Sequence, residues 1–195
     1  MALPFTQAQR EDIRARLLAS ARRHALSVGL RKTSLEALTA DAGISKSSFY
    51  KFYESKEQLF LQVAALWEEE ILRRATAALT GARAGGDKER AAAMVLCAFR
   101  AIHEMGIARF LREDLPLLMP YLPEGVARAH YLSSAESLFS ALRAAQIRFT
   151  VPDETALSVI QLMYLSILHI GEIGEGFFPA LHELVVSACD RLVAG

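Results

Sequence analysis

An all-α chain in two parts is what this sequence predicts: a three-helix unit over residues 1–56 and a larger helical body over residues 57–195. Three observations lead there. Apolar residues recur at helical spacing along most of the chain, no segment alternates as a half-buried strand would, and capping residues, glycines and prolines punctuate the apolar runs. With 195 residues and 52% hydrophobic composition, the chain can fill one small core and one larger one.

In the first part, Thr33 opens a helix: its hydroxyl caps the N-terminus and Glu36, three residues on, completes a capping box. Leu35, Leu38 and Ala42 face inward, and Gly43 supplies the left-handed turn that ends the helix. Ile44 plugs the corner and Ser45 caps the next helix. Between Lys46 and Tyr53, Phe49 and one of Phe52 and Tyr53 point to the core, leaving Lys46, Ser47, Ser48, Tyr50 and Lys51 outside. A face of cations, hydroxyls and a phenol suits phosphate oxygens and base edges. Ser55 with Gln58 forms a second capping box, so a new helix starts there with Lys56 in its first turn. A cation beside the positive end of a helix is locally unfavourable, and contact with a phosphate accounts for it. Two short helices about a glycine turn, then a freshly capped third, read as a helix-turn-helix for double-stranded DNA.

The body follows as further helices. One runs from Lys56 to about Leu79 and stops before the Gly81–Gly86 loop; Asp87 caps the next, which ends near Gly106. A short helix over 107–112 gives way to a bend at Pro116, Pro120 and Pro123, because proline removes helix hydrogen bonds. Helices over about 124–149, 152–170 and 178–193 complete the chain, with Gly171, Gly174 and Gly176 marking the last turn. In the last two, Leu157, Ile160, Tyr164, Ile167 and Leu168 form one stripe and Leu181, Leu184, Val185, Ala188 and Leu192 another. The first of these helices is apolar nearly all round, so it is covered on more than one side, either within one subunit or by a second copy.

Formal charge is zero overall but unevenly placed. Residues 1–56 hold ten Lys/Arg against five Asp/Glu, a net of +5, and residues 57–195 hold twelve against seventeen, a net of −5. Arg10, Arg14, Arg16, Arg22 and Arg23 either solvate the first helix or add to an attraction for nucleic acid. No secretory signal pattern opens the sequence, and its most apolar stretch, 156–171, is short of the ~20 residues of a membrane span. Cys97 and Cys189 lie far apart in apolar helical patterns. A cytoplasmic protein with reduced, buried thiols and no membrane partner is expected.

Residues 13–60 resemble the N-terminal domain of TetR/AcrR-type transcriptional regulators. The likeness rests on Ile13, Leu17 and Ala21, on Gly29 before Thr33-Ser34, on Ala42-Gly43-Ile44-Ser45-Lys46, on Phe49-Tyr50, and on Ser55-Lys56-Glu57 with Leu59-Phe60. It covers about a quarter of the chain. Three places depart from the family pattern: Leu38-Thr39 for the common Ile-Ala, Ser47 for Gly, and Phe52-Tyr53 for His-Phe. They leave the operator sequence open.

The resemblance implies a homodimeric repressor whose larger domain binds a small-molecule effector. Thr33, Ser45, Ser47, Tyr50 and Lys56 become candidates for the DNA backbone, Lys46, Ser48 and Lys51 for base edges, and Ser34 a further DNA-binding candidate. The two apolar stripes become the dimer interface. Trp67, Met94, Phe99, His103, Phe110, Met119, Tyr121, Tyr131, Phe139 and Met163 are either ordinary core or the lining of a pocket for an apolar or aromatic inducer.

Other chemistry finds little support. His182-Glu183 lacks the second histidine of a helical zinc-protease motif. The cysteines lack metal-ligand spacing, and Gly81–Gly86 lacks a phosphate-loop Lys-Ser/Thr. His169 and Glu172 share a helical face, but a helix end accounts for both. No catalytic residue, metal site or cofactor is expected. The rival reading is a helical small-molecule-binding or enzymatic protein with a vestigial reader.

Overall fold

The computed structural model describes residues 5–82, 85–122 and 133–195. Helices α1 (Gln7–Ser27), α2 (Leu35–Asp41) and α3 (Lys46–Phe49) form the N-terminal unit, and α4 (Lys56–Gly81) leads out of it into the body. There α5 (Asp87–Glu104), α6 (Leu115–Leu118), α7 (Ser133–Ala144), α8 (Asp153–Ile167), α9 (Ile170–Ile173) and α10 (Phe177–Leu192) follow. Among the described residues there is no strand, only an isolated antiparallel bridge between Phe149 and Val193.

Helix α4 is the axis. It packs along α5 and against α1, α7 and α6, while α10 lies on α5 and α8 on α7. One apolar core runs without a break from Ile13 on α1 to Val193, through Phe49, Phe60, Trp67, Phe99 and Phe110. The N-terminal unit therefore shares a core with the body, and α4 belongs to both.

Local chemistry explains most helix ends, with three shifts from expectation. The α2 cap is Ser34, whose hydroxyl accepts from the Ala37 amide at 3.1 Å. Thr33 is buried instead, its hydroxyl donating to the Gly29 carbonyl at 2.7 Å, and Glu36 turns away to an ion pair. Second, Phe110–Asp114 forms a π-helical turn that leads into α6, where Pro116 sits in the first turn and sacrifices no helical bond. Third, α7 ends at Ala144 rather than near 149: Gln146 takes a left-handed conformation (φ 65°), and the Ile147 amide reaches back to Leu142. The chain then bonds to the C-terminal segment, Thr150 amide to Leu192 carbonyl at 2.8 Å. The expected segment 124–132 lies outside the described residues.

Candidate nucleic-acid interface

Gly43, at φ 66°, turns the chain between α2 and α3 as its lack of a Cβ allows. Ser45 then caps α3, its hydroxyl accepting from the Ser48 amide at 3.2 Å and lying 3.0 Å from the Ser47 hydroxyl. Phe49 is fully buried and Tyr53 nearly so, its phenol donating to Gln62 Oε1 at 2.6 Å, while Phe52 stays half-buried. Burying those two rings turns Ser34, Ser45, Lys46, Ser47, Tyr50 and Lys51 to the exposed surface, with Ser48 half-buried. Tyr50 is 57% exposed and meets Phe49 edge-on at 5.7 Å.

Not every candidate is free. Lys46 Nζ donates to Glu36 Oε1 at 2.6 Å, and this pair holds the Glu36 carboxyl below its usual range and the Lys46 ammonium above its own. Both side chains are exposed, so the pair is weak and opens readily to a competing anion. Lys56 works inward: Nζ donates to the Leu30 carbonyl at 3.1 Å and the Thr33 carbonyl at 2.9 Å, fastening α4 to the loop before α2. The unfavourable position of this cation at a helix start is thus explained by two carbonyls, without a phosphate. With its hydroxyl buried on Gly29, Thr33 presents no side-chain donor to a DNA backbone. Thr39, one of the departures in α2, is likewise buried and satisfied by the Leu35 and Glu36 carbonyls.

A joint that the sequence did not announce fixes this unit to the body. Arg109 Nη2 donates to the Ala25 carbonyl at 2.9 Å and the Ser27 carbonyl at 3.2 Å, gripping the end of α1. Gly29 (φ 81°) lies so close that a Cβ there would stand 3.0 Å from Asp114 Oδ2 and 3.1 Å from Arg109 Nη1. From the same turn Arg112 donates to the Leu168 carbonyl at 3.1 Å, beyond the end of α8. The only early trace of this joint was Gly29 itself.

Comparison with known proteins agrees with this geometry. Residues 17–63 match the model of bacterial regulatory proteins of the tetR family. The N-terminal domain is thus a TetR-type DNA-binding domain. No curated protein matches the sequence. Among solved structures, a TetR family transcription regulator from Marinobacter aquaeolei VT8 is 18% identical, with 97% of this chain and 100% of that one covered at a TM-score of 0.63. RolR in complex with resorcinol is 18% identical, with 93% and 89% covered at 0.59. AibR in complex with isovaleryl coenzyme A and operator DNA is 16% identical, with 90% and 96% covered at 0.55. At such identities the likeness shows a shared fold over the whole chain.

In the larger domain, the candidate pocket residues do not converge. Trp67, Met94, Phe99 and Phe110 are buried, with Trp67 and Phe110 edge-to-face at 5.0 Å. His103 is exposed on the outer face of α5, packed on the Phe178 ring at 4.9 Å, and Tyr121 is exposed too. Phe139 stacks on Phe149 at 5.5 Å, Met119 is half-buried, and Tyr131 lies outside the described residues. An open cleft of about 710 Å³ runs past Trp67, Leu18, Arg22 and Val63. Two cavities among the candidates are small: about 20 Å³ beside Trp67, Glu68 and Tyr164, and about 30 Å³ beside Met163, Phe149 and Cys189. Each holds roughly one water. The Trp67 indole N–H is buried with no acceptor.

The two apolar stripes also face differently from expectation. Ile160, Tyr164, Ile167, Leu168, Leu181 and Val185 are buried in the chain's own core, and Leu157, Ala188 and Leu192 are half-buried. Of the ten, only Leu184 is exposed; Leu162 and Leu165 on α8 are exposed as well. Both cysteines are free thiols raised by burial, Cys189 to about 11, which keeps them protonated. His169 and Glu172 pair at 3.0 Å on the surface, and the described residues hold no cluster fit for a metal. No single helix among them is long and apolar enough to cross a membrane.

Proposed function

We propose that the chain is a homodimeric transcriptional repressor, released from a near-palindromic operator by a small molecule. The observation that carries this reading is the recognition segment: Phe49 and Tyr53 are buried, and its candidates Ser45, Lys46, Ser47, Tyr50 and Lys51 are exposed on a TetR-type domain, with Ser48 half-buried. Such a helix enters a major groove, and two copies related by a two-fold axis address half-sites about 34 Å apart, or a multiple of that. Exposed Leu162, Leu165 and Leu184, at 68%, 37% and 61%, supply the apolar face for the second copy. Exposed Ser34, Ser45, Ser47 and Tyr50 contact phosphates; Lys46 and the half-buried Ser48 lie toward base edges.

The effector enters at the Trp67 void. Trp67, whose indole donor has no acceptor, lines it together with Glu68, which accepts from Ser137 Oγ at 3.1 Å. The void is far smaller than a ligand, so binding requires the helices around it to part. RolR and AibR, seen with resorcinol and isovaleryl coenzyme A, support ligand control of this fold. An effector acts only through its different affinities for the DNA-competent and DNA-incompetent states.

Selection of duplexes from a random pool at moderate salt tests the reading. A recovered palindrome, bound by two chains, supports it. Recovery of nothing by folded, ligand-free protein refutes it and favours the helical ligand-binding or enzymatic rival.

A further inference from the structure

We propose that Arg10 and Lys51 form a phosphate clamp at the far end of the recognition helix, an assignment that rests on the DNA-binding reading above. Helix α1 begins beside the place where the recognition segment ends. The Arg10 guanidinium lies 5.3 Å from the centre of the Phe52 ring, and its Nη2 donates to the Lys51 carbonyl at 3.5 Å. Lys51 Nζ lies 5.5 Å from the centre of the Phe5 ring, and Phe5 and Phe52 pack together at 5.8 Å. Two cations are thereby seated on one pair of rings.

Glu36 pairs with Lys46, Asp12 with Arg16 and Asp41 with Arg23. Among the described residues no carboxylate lies within ion-pair distance of Arg10 or Lys51. Arg14, Arg22, Arg31 and Lys32 likewise lack an ion pair, and what sets Arg10 and Lys51 apart from them is the shared pair of rings. Two like charges seated on adjoining rings repel, and the ring faces offset only part of that. A shared anion offsets the rest.

Placement in the fold identifies that anion. A recognition helix meets base edges with its N-terminal residues, so a site beyond its other end faces the wall of the groove, where the backbone runs. Arginine offers a planar fork to a phosphate and lysine a point charge. Lys51 therefore moves from the base-edge group to the backbone group, and Arg10 becomes a DNA contact rather than a solvating residue of α1.

The unmodified chain first selects a duplex from a random pool. That duplex and a scrambled one are then titrated over a salt series with Arg10→Gln, Arg10→Lys, Lys51→Gln and the double Gln variant, with thermal melting as the check on folding. Each Gln variant weakens both duplexes about tenfold near 0.15 M salt and lowers the slope of log K against log salt by roughly 0.9; the double variant lowers it by roughly 1.8. Arg10→Lys retains the slope, and Lys51→Gln selects the same sequence as the unmodified chain. An unchanged slope in a normally melting Arg10→Gln overturns the clamp. A changed selected sequence for Lys51→Gln also overturns it and returns Lys51 to the bases. If the unmodified chain selects no duplex at all, the DNA reading itself fails and the clamp with it.

Discussion

The recognition segment and helix α8 face the same problem, how to turn one side of a helix to the core, and their sequences differ in how visibly they solve it. Around Phe49 the residues are Lys, Ser, Ser, Tyr and Lys, so only one rotation buries the rings and leaves the charges wet; Phe49 ends fully buried and Tyr50 57% exposed. Helix α8 has apolar residues on every side. Burial of Ile160, Tyr164 and Ile167 and exposure of Leu162 and Leu165 were decided by where α7 and α5 lie, not by any contrast along the helix. A polar face reports the phase of a helix; an all-apolar one conceals it.

Substitution at the two helices tests that contrast most strongly. Phe49→Ala removes a fully buried ring and is expected to cost about 3–5 kcal/mol, read from denaturant unfolding. On α8, Ile167→Ala costs about 2–5 kcal/mol while Leu162→Ala leaves the folding of one chain within about 0.5 kcal/mol. The reverse order would place the wrong face of α8 in the core. A second pair of variants sharpens the point: Leu162→Glu with Leu184→Glu should sediment as a helical monomer that no longer selects a palindrome. A dimer that survives both charges would locate the interface elsewhere.

A smaller effect probes the joint between the regions. Gly29→Ala forces a side chain into a left-handed backbone and against Asp114 Oδ2, and should cost more than about 1 kcal/mol. Adding Asp114→Ala opens the space and should restore part of that loss, leaving the backbone cost. Full additivity of the two in thermal melts would show that the carboxylate and Gly29 do not press on each other.

The smallest effect is on the solvent side of α4. Hydrogen bonds from Arg73 and then Arg74 hold Glu70 at about 2, against an ordinary 4.5. A carboxylate depressed on folding stabilises above its unfolded pKa, and that contribution fades as pH falls from about 4.5 toward 2. Glu70→Gln should lower the melting temperature slightly at neutral pH and converge on the unmodified chain as pH falls through that window. The side chain is only half-buried, so the change is slight; a deficit that persists undiminished near pH 2 would assign it to something other than the carboxylate.

Much of the N-terminal domain was legible because its signals are local. The Ser45 cap, the Gly43 turn and the inward Phe49 each depend on residues within four positions of one another. Even there the cap of α2 moved from Thr33 to Ser34, because the Thr33 hydroxyl found the Gly29 carbonyl, a contact made by the loop rather than by the helix. The pocket was less legible: His103 and Trp67 read alike as members of apolar helices, yet one lies outside α5 and the other beneath Phe110.

By itself, the sequence determined helical content, most helix ends, the helix-turn-helix and the inner face of its recognition segment, since propensity, capping and polar contrast act over one or two turns. Only the tertiary structure decided the pairing of Lys46 with Glu36, the turning of Lys56 onto the Leu30 and Thr33 carbonyls, the grip of Arg109 on Ala25 and Ser27, and the phase of α8. These contacts join residues 10 to 84 positions apart or depend on which neighbour covers an apolar face. Their energies come from distances between packed elements, which no local pattern records.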